Sequence, residues 1–100
     1  MEWKYNIILQ TQLGERLGTL ILNIVDEQVE GICRLLGYET TCSGTRSHSG
    51  RCEIHGVIRT FMSTISYVGM GTADQECIAL DLDAGKYRYH LTGSMAKETE

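Results

Sequence analysis

The chain has 100 residues, enough for one domain, with 42% apolar and 22% charged residues, 11 glycines and no proline. That balance excludes a disordered chain, where apolar content falls and charge dominates, and a collagen-like one, where glycine and proline rise together. A formal net charge of -4 at pH 7 leaves no basic excess to displace counterions, so nucleic acid is not expected as a partner.

The chain opens Met1-Glu2-Trp3-Lys4-Tyr5-Asn6, and the apolar run that follows, Ile7-Ile8-Leu9, ends at Gln10. A secretory leader needs roughly 7–15 apolar residues and a spanning helix about 20. The three-residue run at the start falls short of the first, and the longest uncharged stretch of apolar character, Leu17 to Val25 with Asn23 inside it, falls short of the second. The expectation is a cytoplasmic protein with no membrane partner.

Period-two alternation runs through the chain and predicts strands, apolar inward and polar outward. Tyr5, Ile7 and Leu9 alternate with Asn6, Ile8 and Gln10; Leu20, Leu22 and Ile24 alternate with Thr19, Ile21, Asn23 and Val25. Residues 26–37 read two ways. As a short helix over 27–36, Asp26 caps it, Val29, Ile32, Cys33 and Leu36 share a face, and Gly37 ends it. As a strand, Val29, Gly31, Cys33 and Leu35 face inward, which avoids the cost of about 1 kcal/mol for Gly31 inside a helix. Further on, Cys52, Ile54, Gly56 and Ile58 share a predicted inner face, residues 60–65 show no clean alternation, and Ile78, Leu80 and Leu82 alternate with Ala79, Asp81 and Asp83. Tyr87, Tyr89 and Leu91 form the last inner stripe.

Short polar segments separate these runs: Leu13-Gly14-Glu15-Arg16, Asp26-Glu27-Gln28, Ser47-His48-Ser49-Gly50 and Asp83-Ala84-Gly85-Lys86. Connections this short suit antiparallel neighbours, since parallel strands need a crossover of a dozen or more residues. Glycines 18, 31, 44, 56 and 69 recur every 12 or 13 residues, and Gly93 follows 24 beyond Gly69. One strand plus one turn has that length, and an interior glycine marks a bend or a close approach. The rhythm decides residues 26–37 as a strand. The predicted fold is all-β, an antiparallel up-and-down meander of about eight strands forming a small barrel or sandwich, with residues 1–95 as the domain and 96–100 as a frayed tail.

The series Leu13-Gly14, Gly18-Thr19-Leu20, Gly31, Leu36-Gly37, Ser43-Gly44, Gly56, Arg59-Thr60, Gly71-Thr72 and Leu91-Thr92-Gly93 resembles a group of small, uncharacterised bacterial proteins of about this length. The resemblance implies a bacterial all-β domain and transfers no functional residue.

Several constellations invite a chemical reading. Arg46-Ser47-His48-Ser49 places a histidine beside hydroxyls and a cation in a polar loop, although adjacent residues do not make a nucleophile–base pair. No nucleophile elbow, phosphate loop or zinc helix occurs. Asp81 and Asp83 share a face, and Lys86 and Arg88 across the turn are their expected ion-pair partners. Cys33, Cys42, Cys52 and Cys77 include no Cys-x-x-Cys pair, and Cys52 and His55 fall on opposite faces of one strand, so neither a metal nor any other cofactor is assigned.

Tyr87 and Tyr89 share an inner face that Tyr38 and Tyr67 are expected to join, lining or closing a small interior pocket for an apolar ligand. Ile8, Ile21, Val25 and Val57 fall on outer faces, Ile8 and Ile21 as expected neighbours in the first hairpin, and suggest a homodimer interface. The leading expectation is a non-catalytic binding or interaction module. The alternative is a small enzyme or a metal- or ligand-binding protein that uses inward Tyr, Cys and Arg side chains.

Overall fold

A computed structural model describes residues 1–96 and contains eight strands: β1 (Glu2–Thr11), β2 (Gly14–Val25), β3 (Gln28–Leu35), β4 (Tyr38–Arg46), β5 (Arg51–Arg59), β6 (Thr64–Ala73), β7 (Cys77–Ala84) and β8 (Tyr87–Met95). Each pairs antiparallel with the next, and β8 returns to β1, with Leu9 opposite Leu91 and Tyr5 opposite Met95. The meander is therefore a closed barrel, and the sandwich falls away.

Alternation decides what the barrel holds. Tyr5, Ile7 and Leu9 on β1, Leu20 and Leu22 on β2, Ile54 and Ile58 on β5, and Ile78, Leu80 and Leu82 on β7 are all buried. Each such side chain contributes about 1.5–3 kcal/mol through the apolar surface it removes from water. The outer face carries Lys4, Glu30, Arg34, Glu53, Arg59, Asp81, Asp83 and Arg88. No helix of the described residues is long and apolar enough to cross a membrane.

Residues 26–37 are a strand between two turns. β3 buries Val29, Cys33 and Leu35 and pairs along its whole length with both β2 and β4. Leu36 and Gly37 then take φ of 58° and 83°, a two-residue turn with both central residues left-handed, whose twist matches the strands it joins. The first turn is Gln12-Leu13 and not Leu13 to Arg16, because β2 already pairs with β1 from Gly14. Residues 60–63 form a loop: the Thr60 hydroxyl accepts the N–H groups of Met62 (3.2 Å) and Ser63 (3.0 Å), so the ambiguous segment divides where β6 begins at Thr64. Of the expected tail, Ala96 donates its N–H to the Lys4 carbonyl (2.9 Å), and residues 97–100 lie outside the described residues.

The recurring glycines sit on the inner faces of β2, β3, β4, β5, β6 and β8. Two requirements keep side chains out. A Cβ on Gly44 would collide with the Glu53 carbonyl, and one on Gly71 with the Ala79 carbonyl, so at these points neighbouring backbones close in on each other. At Gly56 a Cβ would stand 2.7 Å from the Tyr67 hydroxyl, because the tyrosine ring fills the volume that the glycine leaves. Gly44→Ala should therefore lower stability by about 3 kcal/mol through a forced backbone shift. Gly85→Ala meets nothing within 4 Å and should cost only about 1 kcal/mol for its left-handed φ of 76°. Urea unfolding of the two variants tests the difference, and equal losses would mean that the close approach at Gly44 relaxes freely.

Candidate functional site

An up-and-down meander sends alternate turns to opposite ends of its barrel. Turns 12–13, 36–37, 60–63 and 85–86 gather at one end, and turns 26–27, 47–50 and 74–76 at the other, together with the starts of β1 and the end of β8. The two ends differ in chemistry. The second carries Asp26, Glu27, Asp74 and Glu76 in its turns, whereas the turns of the first contain no carboxylate.

The acidic end is plugged. Arg46, the last inward position of β4, lays its guanidinium 4.8 Å above the Trp3 ring and donates from Nε to the Ala73 carbonyl (2.7 Å). The Tyr5 hydroxyl donates to the Asp74 carbonyl. The Asp74 carboxylate accepts the N–H groups of Glu76 (2.8 Å) and Cys77 (3.0 Å). The backbone N–H groups of Cys77 and then Glu76 hold this carboxyl below its ordinary range, and Arg46 adds to the effect. Arg46 is thereby withdrawn from the loop that follows it. Ser47 and Ser49 share a hydroxyl hydrogen bond of 2.8 Å, and His48 points outward, 4.0 Å from Glu27. The loop does not assemble arginine, histidine and serine into one site.

The other end is open. A cavity of about 470 Å³ occupies its mouth. Leu9, Ile58, Ile65 and Tyr89 line its deeper part, and Leu13, Leu36, Phe61 and Tyr87 stand around it at the turns. Leu13 is 85% exposed and Phe61 90%, so the rim presents apolar side chains to solvent at two loop tips. The Tyr87 and Tyr89 rings, two residues apart on one face of β8, lie nearly parallel with centroids 6.2 Å apart. Leu36 holds its left-handed φ of 58° at this rim, a conformation that costs a leucine roughly 1–2 kcal/mol and an asparagine less.

One charged group belongs to the cavity wall and escaped the sequence reading. Arg16 lies opposite Leu9 on the inner stripe of β2 and is half-buried. Its signal was present: the stripe Ile24, Leu22, Leu20 continues backward through Gly18 to Arg16 with no change of phase.

The four tyrosines separate. Tyr87 and Tyr89 line the mouth, Tyr38 lies beside it with the Arg59 guanidinium 5.5 Å above its ring, and Tyr67 is buried in the barrel body against Gly56. On the outer face, Ile8 lies opposite Leu17 and Thr92, Ile21 opposite Lys4 and Ile32, Val25 opposite Gln28, and Val57 opposite Ser66. Ile8 and Ile21 are thus not partners in the first hairpin, and four register steps of about 3.3 Å separate them. Asp83 pairs with Arg88 as expected (3.8 Å), but Asp81 meets His90 Nδ1 (2.8 Å), because Lys86 belongs to the turn itself. Cys52 is buried and His55 exposed, on opposite faces of β5.

Compared with family models, curated proteins and solved structures, the chain finds no match. Its own geometry therefore carries the functional argument.

The thiols yield a prediction. Burial, with neighbouring Cys42, pushes the Cys33 thiol up to about 12, and burial pushes Cys42 up to about 11. Burial likewise raises Cys52, Tyr5 and Tyr67. In the unfolded chain a thiol ionises near its ordinary value of about 8.5. The folded state is fully favoured below that pH and loses stability as pH rises toward the folded values. Urea midpoints should fall steadily in alkali, and near neutral pH a thiol reagent should modify the exposed Cys77 well before the three buried thiols. Uniform modification of all four thiols in the native protein would contradict both expectations.

Proposed function

We propose that the protein is a non-catalytic binding module that holds a small apolar ligand in the open mouth of its barrel and works in the cytoplasm. The observation that carries this reading is the contrast between the two ends. One inward arginine, Arg46, stacks on an aromatic ring and seals the acidic end, while the opposite end keeps a cavity lined by aliphatic and aromatic side chains. Its volume of about 470 Å³ lies within the range of small-molecule sites. Leu36 supports the same reading, because an apolar side chain is kept at a turn position where asparagine would relax the backbone. The buried thiols of Cys33, Cys42 and Cys52 are free, in keeping with a reducing compartment.

Decanol serves as a neutral ligand. Each methylene removed from water contributes about 0.8 kcal/mol, so a chain seated on the cavity floor should bind saturably. Backbone amide NMR shifts should move at Leu9, Ile58 and Tyr89 and not around Trp3. Leu36→Asn should weaken binding about fivefold, equivalent to about 1 kcal/mol of lost apolar contact, while stability stays level or rises. Unsaturable binding, or shifts confined to the outer face, would remove the proposal.

A second reading, two-fold self-association through the outer face of β2 and β3, draws support from the cross-strand pair Ile21 and Ile32. Ile32 is 40% exposed in a row of otherwise polar positions. In sedimentation velocity, Ile21→Lys should then convert a dimer to a monomer, and a wild-type monomer at every concentration would exclude this reading.

A further inference from the structure

Arginine is out of place on the inner stripe of a strand that otherwise buries Leu20 and Leu22. The barrel has a second inward arginine at its other end, and the comparison is instructive. Arg46 has an aromatic face beneath it and a carbonyl acceptor at 2.7 Å. Arg16 has one recorded bond, from Nη1 to the carbonyl of its neighbour Glu15 at 3.1 Å. The Glu15 carboxylate is turned to Gln10, whose amide Nε2 donates to it at 2.5 Å on the outer face. Among the described residues no carboxylate stands within ion-pair distance of Arg16. A half-buried guanidinium with most of its fork unbonded gains from a planar, bidentate acceptor more than an ammonium would.

Of the polar side chains lining the mouth, Thr11, Gln12 and Thr60, none is a bidentate acceptor and, among the described residues, none hydrogen-bonds to Arg16. The Thr11 hydroxyl already donates to the Gly14 carbonyl (2.8 Å) and accepts the Leu13 N–H (3.1 Å), and the Thr60 hydroxyl serves its own turn. The charges at this end are mixed but lean positive: Glu15, Glu39 and Asp83 on the strand ends are bonded to Gln10, Arg34 and the Gly85 N–H. Its turns carry Lys86 and no carboxylate, Arg59 lies beside it on Tyr38, and the turn carboxylates are gathered at the far end. Such a charge distribution draws anions toward the mouth.

We propose that the ligand of the mouth is an amphiphilic carboxylate, an acid group on an acyl chain or aromatic body. Arg16 takes the carboxylate, and the apolar body lies against Leu9, Ile58, Ile65 and Tyr89. This rests on the mouth being the binding site, and it adds the charge and polarity of the molecule that fills it. Arg16 thereby selects between ligands of equal apolar size.

The test compares decanoate with decanol at neutral pH on the wild-type protein and on Arg16→Gln, with binding followed by calorimetry and urea unfolding confirming that the variant folds. Wild type should bind decanoate at least tenfold more tightly than decanol, added salt should erode that margin, and Arg16→Gln should bring the ratio of the two affinities to about one. Equal wild-type affinities would overturn the carboxylate proposal and leave the mouth as an apolar site. A preference for decanoate that survives in Arg16→Gln would also overturn it, by placing the charge recognition on another cation. Failure of both molecules to bind would remove the site itself.

Discussion

The interior volume of an eight-stranded barrel constrains everything else in this molecule. Eight strands enclose just enough space for side chains to fill. A chain of this size must fill it with large residues to be stable, yet leave gaps for them to enter. The repeating inward glycines resolve that conflict. Gly56 admits the Tyr67 ring, and Gly44 and Gly71 let neighbouring backbones draw together where the strands bend. A large side chain at one level of the stack thus depends on a missing one beside it. The order of residues along each strand is consequently as constrained as their composition.

The same limit explains why the open cavity lies at an end. The body of the barrel is occupied by the side chains that hold it together, so its interior has room only where the stack stops. At the acidic end it stops with Trp3 beneath Arg46, and a network through Ala73, Asp74 and Tyr5 completes the seal. The indole N–H of Trp3 has no acceptor among the described residues, so this packing is achieved at some polar cost. At the mouth the stack stops at Leu9, Ile58 and Tyr89 with nothing above them but the turns. Two arginines on inner stripes therefore have opposite fates, one consumed by structure and one left with donors to spare.

Much of the architecture was legible in the residues. Tyr5, Ile7 and Leu9, or Ile78, Leu80 and Leu82, declare their inner face by alternation alone. β4 and β6 are weaker as patterns, since Thr40, Cys42 and Gly44 or Gly69 and Gly71 carry little apolar signal, and only the glycine spacing exposed them. Closure was not legible, because a barrel and a sandwich use the same alternation and differ in whether β8 meets β1. The mouth inherits that limit. Tyr87 and Tyr89 could be placed on one inner face, but which turns surround them depends on the closed sheet. Arg16 was hidden because Gly18 and a cation interrupt the apolar stripe it extends. Leu36 was hidden because leucine gives no sign of a left-handed turn.

An even number of strands has a further consequence. Both ends of the described chain, Met1 and Ala96, emerge at the sealed end, tied to Ile24 and Lys4 respectively. A polypeptide joined to either one would leave the barrel away from the cavity, so tethers, fused domains or a surface support would hold the molecule with its mouth facing outward. A short bridge between the two ends could likewise reconnect the chain and move its break to another turn without disturbing the sheet. The topology thus separates the face by which the barrel can be anchored from the face that carries the open mouth.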